Sequence, residues 1–253
     1  MLPSFDLKNK VAFVTGAARG LGNSCAVALA NAGADLALGF RDINTSKDLV
    51  YEIERMGRKV LPLQMDVSNL NEINAAVEYA TDHFGKIDIL VNNVGVAPES
   101  PAESATEEIF DTISNVNIKG TFFVTQAVAK VMIKQNSGRI INISSQAGFV
   151  ALPNETLYCM SKAAINHLTK CLAVEWAKYN INVNAVAPTF IHTPGTAAFL
   201  SDDSNLREVL SNIPLGRIGE PHEVSGAVVF LASPAASLIT GEVMLIDGGW
   251  TSK

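Results

Sequence analysis

The sequence predicts an α/β protein: one doubly wound domain with a seven-stranded, mostly parallel sheet and helices on both faces. Seven short runs rich in Val and Ile alternate with longer amphipathic stretches, the pattern of successive βαβ units. Several runs are apolar throughout, as strands covered on both faces must be. The connections between runs and amphipathic stretches are short, so each crossover is expected to be right-handed.

The runs are, in order, KVAFVT (10–15), DLALGF (35–40), KVLPLQ (59–64), IDILV (87–91), RIINIS (139–144), INVNAVA (181–187) and VMLI (243–246). A chain of 253 residues, 48% hydrophobic and 17% charged, can bury a large core and has little tendency to disorder. No internal repeat, low-complexity segment or Pro/Ser linker marks a second domain. Residues 189–214 stand out, because Thr, Ser, Asp and Asn mix there with Phe190, Ile191, Phe199, Leu200, Leu206 and Leu210. They form either a surface helix pair or, as expected here, a lid over a ligand site.

A formal charge of -6 provides no broad positive field, which argues against nucleic acid as the main partner. Cys25, Cys159 and Cys171 are odd in number and lack ligand spacing, so neither a disulfide framework nor a metal site is expected. The opening MLPSFDLKNK has no apolar stretch of signal length, and no run approaches the roughly 20 apolar residues that span a bilayer. A cytoplasmic protein without a membrane partner is the expectation.

Directly after the first run comes TGAARGLG, Thr15 to Gly22, and then the helical NSCAVALANAG. Gly16, Gly20 and Gly22 allow a tight turn and close approach of backbone to a pyrophosphate, whose charge then sits at a helix N-terminus. Such a trio also occurs in ordinary strand-to-helix turns; its place after the first strand of a βαβ unit is what gives it meaning. The spacing is Gly-x3-Gly-x-Gly, and from here on the sequence resembles the short-chain dehydrogenase/reductase family, with its Rossmann-type fold. The resemblance runs on through Asp66-Val67, Asn92-Asn93-Val94-Gly95, Asn117-Ile118-Lys119-Gly120 and Ile246-Asp247-Gly248-Gly249.

That resemblance implies one dinucleotide-binding and catalytic domain over residues 1–253. It places Asp66 on the adenine amino group and has the Asn-Asn-x-Gly turn support the sheet and line the cofactor. It further implies cofactor contacts from Arg19, Leu21, Val67, Asn93, Gly95, Pro188, Ile191 and Thr193. Asp and Asn also serve as turn formers and caps. Two residues depart from the family pattern: Val94 replaces the usual Ala, and Thr189 replaces the usual Gly after Pro188. The second is expected to alter the turn beside the nicotinamide.

Ser145 lies at the end of the strand RIINIS; 13 residues later Tyr158 opens a helix, with Lys162 one turn on. An i, i+4 pair shares a helix face, so the ammonium can lie near the phenol. A nearby positive charge favours the ionised phenol, which fits Tyr158 for proton transfer near neutral pH. Ser145 can donate to the same substrate oxygen as hydride arrives. By resemblance, Lys162 also binds the nicotinamide ribose, and Asn117 holds a water that links the lysine to solvent. Tyr-x3-Lys alone would equally be a surface pair.

The end of the second strand, GADLALGFRDINTS, bears on the cofactor. The family's acidic position for NAD falls on Phe40, and Arg41 follows it; a guanidinium there, helped by Arg19 and by Asn44 or Ser46, suits the 2′-phosphate of NADP. Asp42 leaves NAD open. The expected activity is NADP(H)-dependent interconversion of a small ketone and a secondary alcohol. Two alternatives remain: a 3-oxoacyl-thioester (acyl-carrier-protein) reductase, and a non-catalytic cofactor-binding protein on the same fold. The arginines with which such reductases dock their carrier are replaced by Asn136 and Tyr179, although Lys134 and Lys178 lie close by. Expected pocket-wall residues are Phe149, Leu152, Asn154, Glu155, Phe190, His192 and Phe199. The family tail implies a homotetramer built on faces around Ala127 to Met132 and Leu168 to Trp176.

Overall fold

The computed structural model describes residues 4–252. Seven strands form one sheet: β1 (Val11–Thr15), β2 (Asp35–Phe40), β3 (Val60–Gln64), β4 (Ile89–Asn92), β5 (Gly138–Ile143), β6 (Ile181–Pro188) and β7 (Val243–Ile246). Their order is β3-β2-β1-β4-β5-β6-β7 and every pairing is parallel, so the sheet is wholly parallel. Each of the seven runs supplies one strand.

The helices α1 (Gly20–Asn31), α2 (Lys47–Arg55), α3 (Leu70–Phe84), α4 (Glu107–Ile113), α5 (Thr121–Gln135) and α6 (Thr156–Trp176) fill the early crossovers. Strand alternation sorts the core into two layers. On one face Ala12, Val14, Leu36, Leu38 and Val91 pack with Cys25 and Leu29 of α1 and with Val224 and Val228 of α9 (Pro221–Ala232). On the other, Phe13, Ala37, Leu90 and Ile140 pack with Ile73 of α3, Val128 of α5 and Leu172 of α6. This arrangement is doubly wound, and its winding reverses between β1 and β4, where their C-terminal ends leave a crevice.

Residues 189–214 contain two short helices, α7 (Ala197–Leu200) and α8 (Asp203–Asn212), the second capped by the Asp202 side chain. They gather Leu200, Val209 and Ile213 around an apolar cluster of their own. Phe190 stacks on Phe199 at 5.5 Å and on Trp250 at 5.9 Å. Ala127, Val128, Ala129 and Met132, expected to supply a subunit face, are instead buried in the chain's own core. Among the described residues, no helix is long and apolar enough to cross a membrane.

One buried polar chain ties the sheet centre to two helices. Asn92 Nδ2 donates to Thr125 Oγ1 at 2.7 Å and to Asn142 Oδ1 at 2.9 Å, and Asn142 Nδ2 donates to Thr169 Oγ1 at 3.0 Å. Removing its middle member strands partners that water cannot reach. Asn142→Ala should therefore cost about 3 kcal/mol in urea unfolding, with the m-value unchanged.

Candidate active site

Parallel strands deliver their loops to one edge, and the loops after β1 through β6 enclose a cleft of about 790 Å³ at the crevice. Gly16, Arg19, Gly20, Leu21, Phe40, Arg41, Asp66, Val67, Asn93 and Gly95 line it, as do Ser145, Tyr158, Lys162, Pro188, Ile191 and Thr193. Of the glycine turn and the expected catalytic residues, Gly22 and Asn117 stand behind this surface.

The glycine turn owes its shape to close packing. Gly16 has φ +66°, and a Cβ there would lie 2.8 Å from Val94 Cγ2; one on Gly22 would lie 2.2 Å from Gly16 O. Asn93 Nδ2 donates to Thr15 O (3.1 Å) and Gly16 O (3.2 Å), lacing the β4 loop to the turn. Among the described residues, the N-terminus of α1 has neither a side-chain cap nor an acidic residue in its first turn. Its N–H groups and dipole are therefore available to an anion, and the donor set fits a pyrophosphate. Asp66 Oδ1 accepts from Ser68, which leaves Oδ2 for an adenine amino group.

Beyond β2, Phe40 and Arg41 face the cleft while Asp42 turns aside, its Oδ1 accepting from Asn44 N (3.0 Å) and Nδ2 (2.9 Å). The carboxylate that left NAD open in the sequence thus serves as a turn cap. Asn44 is tied to that cap, and Ser46 is buried.

At the opposite end, Lys162 is buried, and its Nζ donates to Ile143 O at 2.9 Å and lies 5.6 Å from the Tyr158 ring centroid. Gly95 makes room for it: a Cβ there would lie 3.3 Å from Nζ and 3.6 Å from Asn117 Oδ1. Asn117 sits behind Gly95 in the π-helical stretch Ser114–Gly120. Its Oδ1 accepts from Val96 N, and its Nδ2 donates to Val96 O and Ser161 Oγ. Burial pushes the Tyr158 phenol up to about 12, opposed by a hydrogen bond with Ser145 and reinforced by Glu155 and Cys159. Burial also brings Lys162 down to about 8. The expected lowering of the phenol by the lysine is outweighed here, because both groups are desolvated and the ammonium is turned to a carbonyl.

Other expectations are corrected. Phe190 and Phe199 face each other in the α7–α8 cluster, and Phe149 is exposed. His192 lies on the surface, 3.9 Å from Glu220. Val96, Ala97, Thr112, Asn115 and Val116 line the cleft instead. Val96 and Ala97 come from the loop after β4, Thr112 from the end of α4, and Asn115 and Val116 from the π-helical stretch that follows; none of the five is a motif residue, so only the fold brings them in. Thr189 has an ordinary negative-φ backbone, so the turn needs no glycine there; its buried Oγ1 finds no hydrogen-bond partner among the described residues.

A family model described as enoyl-(acyl carrier protein) reductase matches residues 16–251. A 2-dehydro-3-deoxy-D-gluconate 5-dehydrogenase of Dickeya dadantii is 41% identical over the full length of both chains. An NAD-dependent glycerol dehydrogenase of Listeria innocua is 43% identical over 98% of this chain and 96% of its own. A gluconate 5-dehydrogenase from Burkholderia cenocepacia, crystallised with NADP and tartrate, superposes with a TM-score of 0.96 at 33% identity. That match covers 99% of this chain and 98% of the other. The chain belongs to the short-chain dehydrogenase/reductase family. It is an oxidoreductase of the dehydrogenase type, acting on CH–OH groups.

A lysine whose pKa is depressed in the folded state costs stability where the unfolded chain holds the proton more tightly. For Lys162 that cost is full below about pH 8 and fades as the pH rises toward the ordinary 10.5. Lys162→Met should therefore stabilise the free protein at pH 7, by on the order of 2 kcal/mol, with the gap closing by about pH 10. Thermal melts across that range would check this.

Proposed function

We propose that the protein interconverts a ketone and a secondary alcohol with NADP(H), with Tyr158 as general acid/base. The observation that carries this is the meeting of Ser145, Tyr158 and Lys162 with the glycine turn in one cleft. A nicotinamide dinucleotide held there supplies or accepts the hydride. Ser145 and Tyr158 present hydroxyls to the substrate oxygen, where negative charge grows during reduction, and Tyr158 passes on its proton. Lys162 stabilises the phenolate that remains and is placed to hold a ribose hydroxyl. Burial keeps the phenol protonated at neutral pH, which suits the reducing direction.

Support for NADP(H) comes from Arg41 and Arg19 on the cleft wall and from Asp42 being turned away. A guanidinium pairs with a 2′-phosphate, whereas a carboxylate would repel it. The Burkholderia relative is solved with NADP, while the Listeria relative is named for NAD. The Dickeya, Listeria and Burkholderia relatives are named for small hydroxylated compounds. A small polar ketone or polyol fits a wall that mixes Val96 and Val116 with Thr112 and Asn115. Residues 189–214 act as its lid. We read the exposed Phe110, Phe122, Met160 and Val174 as faces of a homotetramer.

Tyr158→Phe should lower kcat about a thousandfold while leaving NADPH affinity within about twofold, by stopped assays and fluorescence titration. Near wild-type turnover would disprove the role. Arg41→Ala should weaken NADPH about 10- to 100-fold and NADH hardly at all; equal or better wild-type efficiency with NADH would refute the cofactor assignment. Light scattering should give a particle of four 26.9 kDa chains.

A further inference from the structure

Gln64, the last residue of β3, is exposed and stands off the cleft wall, yet both ends of its carboxamide are engaged. Its Nε2 donates to Arg41 O at 2.6 Å, and its Oε1 accepts from Ile43 N at 3.2 Å. With a carbonyl and an N–H as partners, the amide has a single satisfactory orientation. The sheet explains the arrangement. β2 and β3 pair as far as Phe40 and Gln64, where Met65 N donates to Phe40 O at 2.7 Å. β3 ends there, and its chain runs on to Met65 and Asp66 on the cleft wall. The Gln64 side chain then bonds Arg41 and Ile43 as a further rung of the ladder would.

The loop that follows β2 is otherwise lightly tied. Residues 41–45 are exposed, and the side-chain bonds among Asp42, Asn44 and Thr45 are internal to the loop. Such bonds fix the shape of a turn and not its direction relative to the sheet. Among the described residues, the Arg41 guanidinium has no hydrogen bond or ion pair of its own, so its backbone must aim it into the cleft.

We propose that Gln64 is a positioning residue for cofactor choice: by clamping the backbone of residues 41–43 to the end of β3, it aims Arg41 at the 2′-phosphate of NADP(H) and keeps Asp42 turned away. The inference rests on the assignment of Arg41 to that phosphate and adds the residue that holds the arginine in place. Gln64 itself touches neither phosphate nor ribose. It lies two residues before Asp66, so the same clamp fixes the spacing between the phosphate site and the adenine site.

Gln64→Met keeps the side-chain length and the net charge and removes both bonds, at an exposed position outside the core. By titration calorimetry it should weaken NADPH and 2′,5′-ADP about fivefold while leaving NADH and 5′-AMP within about 1.5-fold. Added to Arg41→Ala, the same substitution should cost NADPH less than about 1.5-fold, since no guanidinium is left to aim. Unchanged NADPH affinity in Gln64→Met overturns the proposal. So does an equal loss for NADH, or a full loss that persists in the Arg41→Ala background, because either would mark a merely structural role. Failure of the underlying reading looks different: a wild type that binds NADH as tightly as NADPH, or an Arg41→Ala protein with unchanged NADPH affinity, overturns the cofactor assignment and this inference with it.

Discussion

The cleft depends on one side chain holding two loops together. Asn93 donates to the carbonyls of Thr15 and Gly16, and its own N–H reaches Thr15 Oγ1 at 3.0 Å. These bonds join the turn after β1 to the turn after β4 at the point where the sheet's winding reverses. Without such a tie the left-handed backbone at Gly16 would have little to fix it, and the α1 N-terminus would lose its aim. The parallel sheet brings the loops to one edge; Asn93 makes them a single surface.

Most of the fold was legible because parallel, doubly covered strands leave a strong trace: apolar runs with no polar alternation, such as FVT in β1 and ILV in β4. The glycine turn and the Ser145, Tyr158 and Lys162 spacing were legible for a similar reason, since tight backbone geometry and helix periodicity tolerate few residue types. What stayed hidden depends on side-chain direction. Phe190 and Phe199 read as pocket wall yet stack together, and Val96 and Thr112 carry no pattern yet line the cleft. Asp42 could be placed only by finding the turn it caps. The protonation of Tyr158 also lay outside sequence reasoning, because spacing shows that a lysine is near but not how much water both groups have lost.

The Ser145–Tyr158–Lys162 end of the cleft is assembled at the expense of folding stability. Lys162 is buried with a carbonyl and a phenol ring beside it, an environment no charged group would adopt for stability alone. The glycine at position 95 and the π-helical stretch around Asn117 are shaped to accommodate it. Desolvation is thus concentrated on Tyr158 and Lys162, while the two apolar layers of the sheet hold them in place.

The α7–α8 segment has a separate apolar cluster, centred on Leu200, Val209 and Ile213 and closed by the Phe199–Phe190–Trp250 stack, and it draws little on the layers under the sheet. Such independence makes the region modular. Mutations in it can drift, and new side chains can be tried, while the glycine turn and the Ser145–Tyr158–Lys162 group stay as they are. An ancestral enzyme of this design could diversify in what it accepts far faster than in what it does.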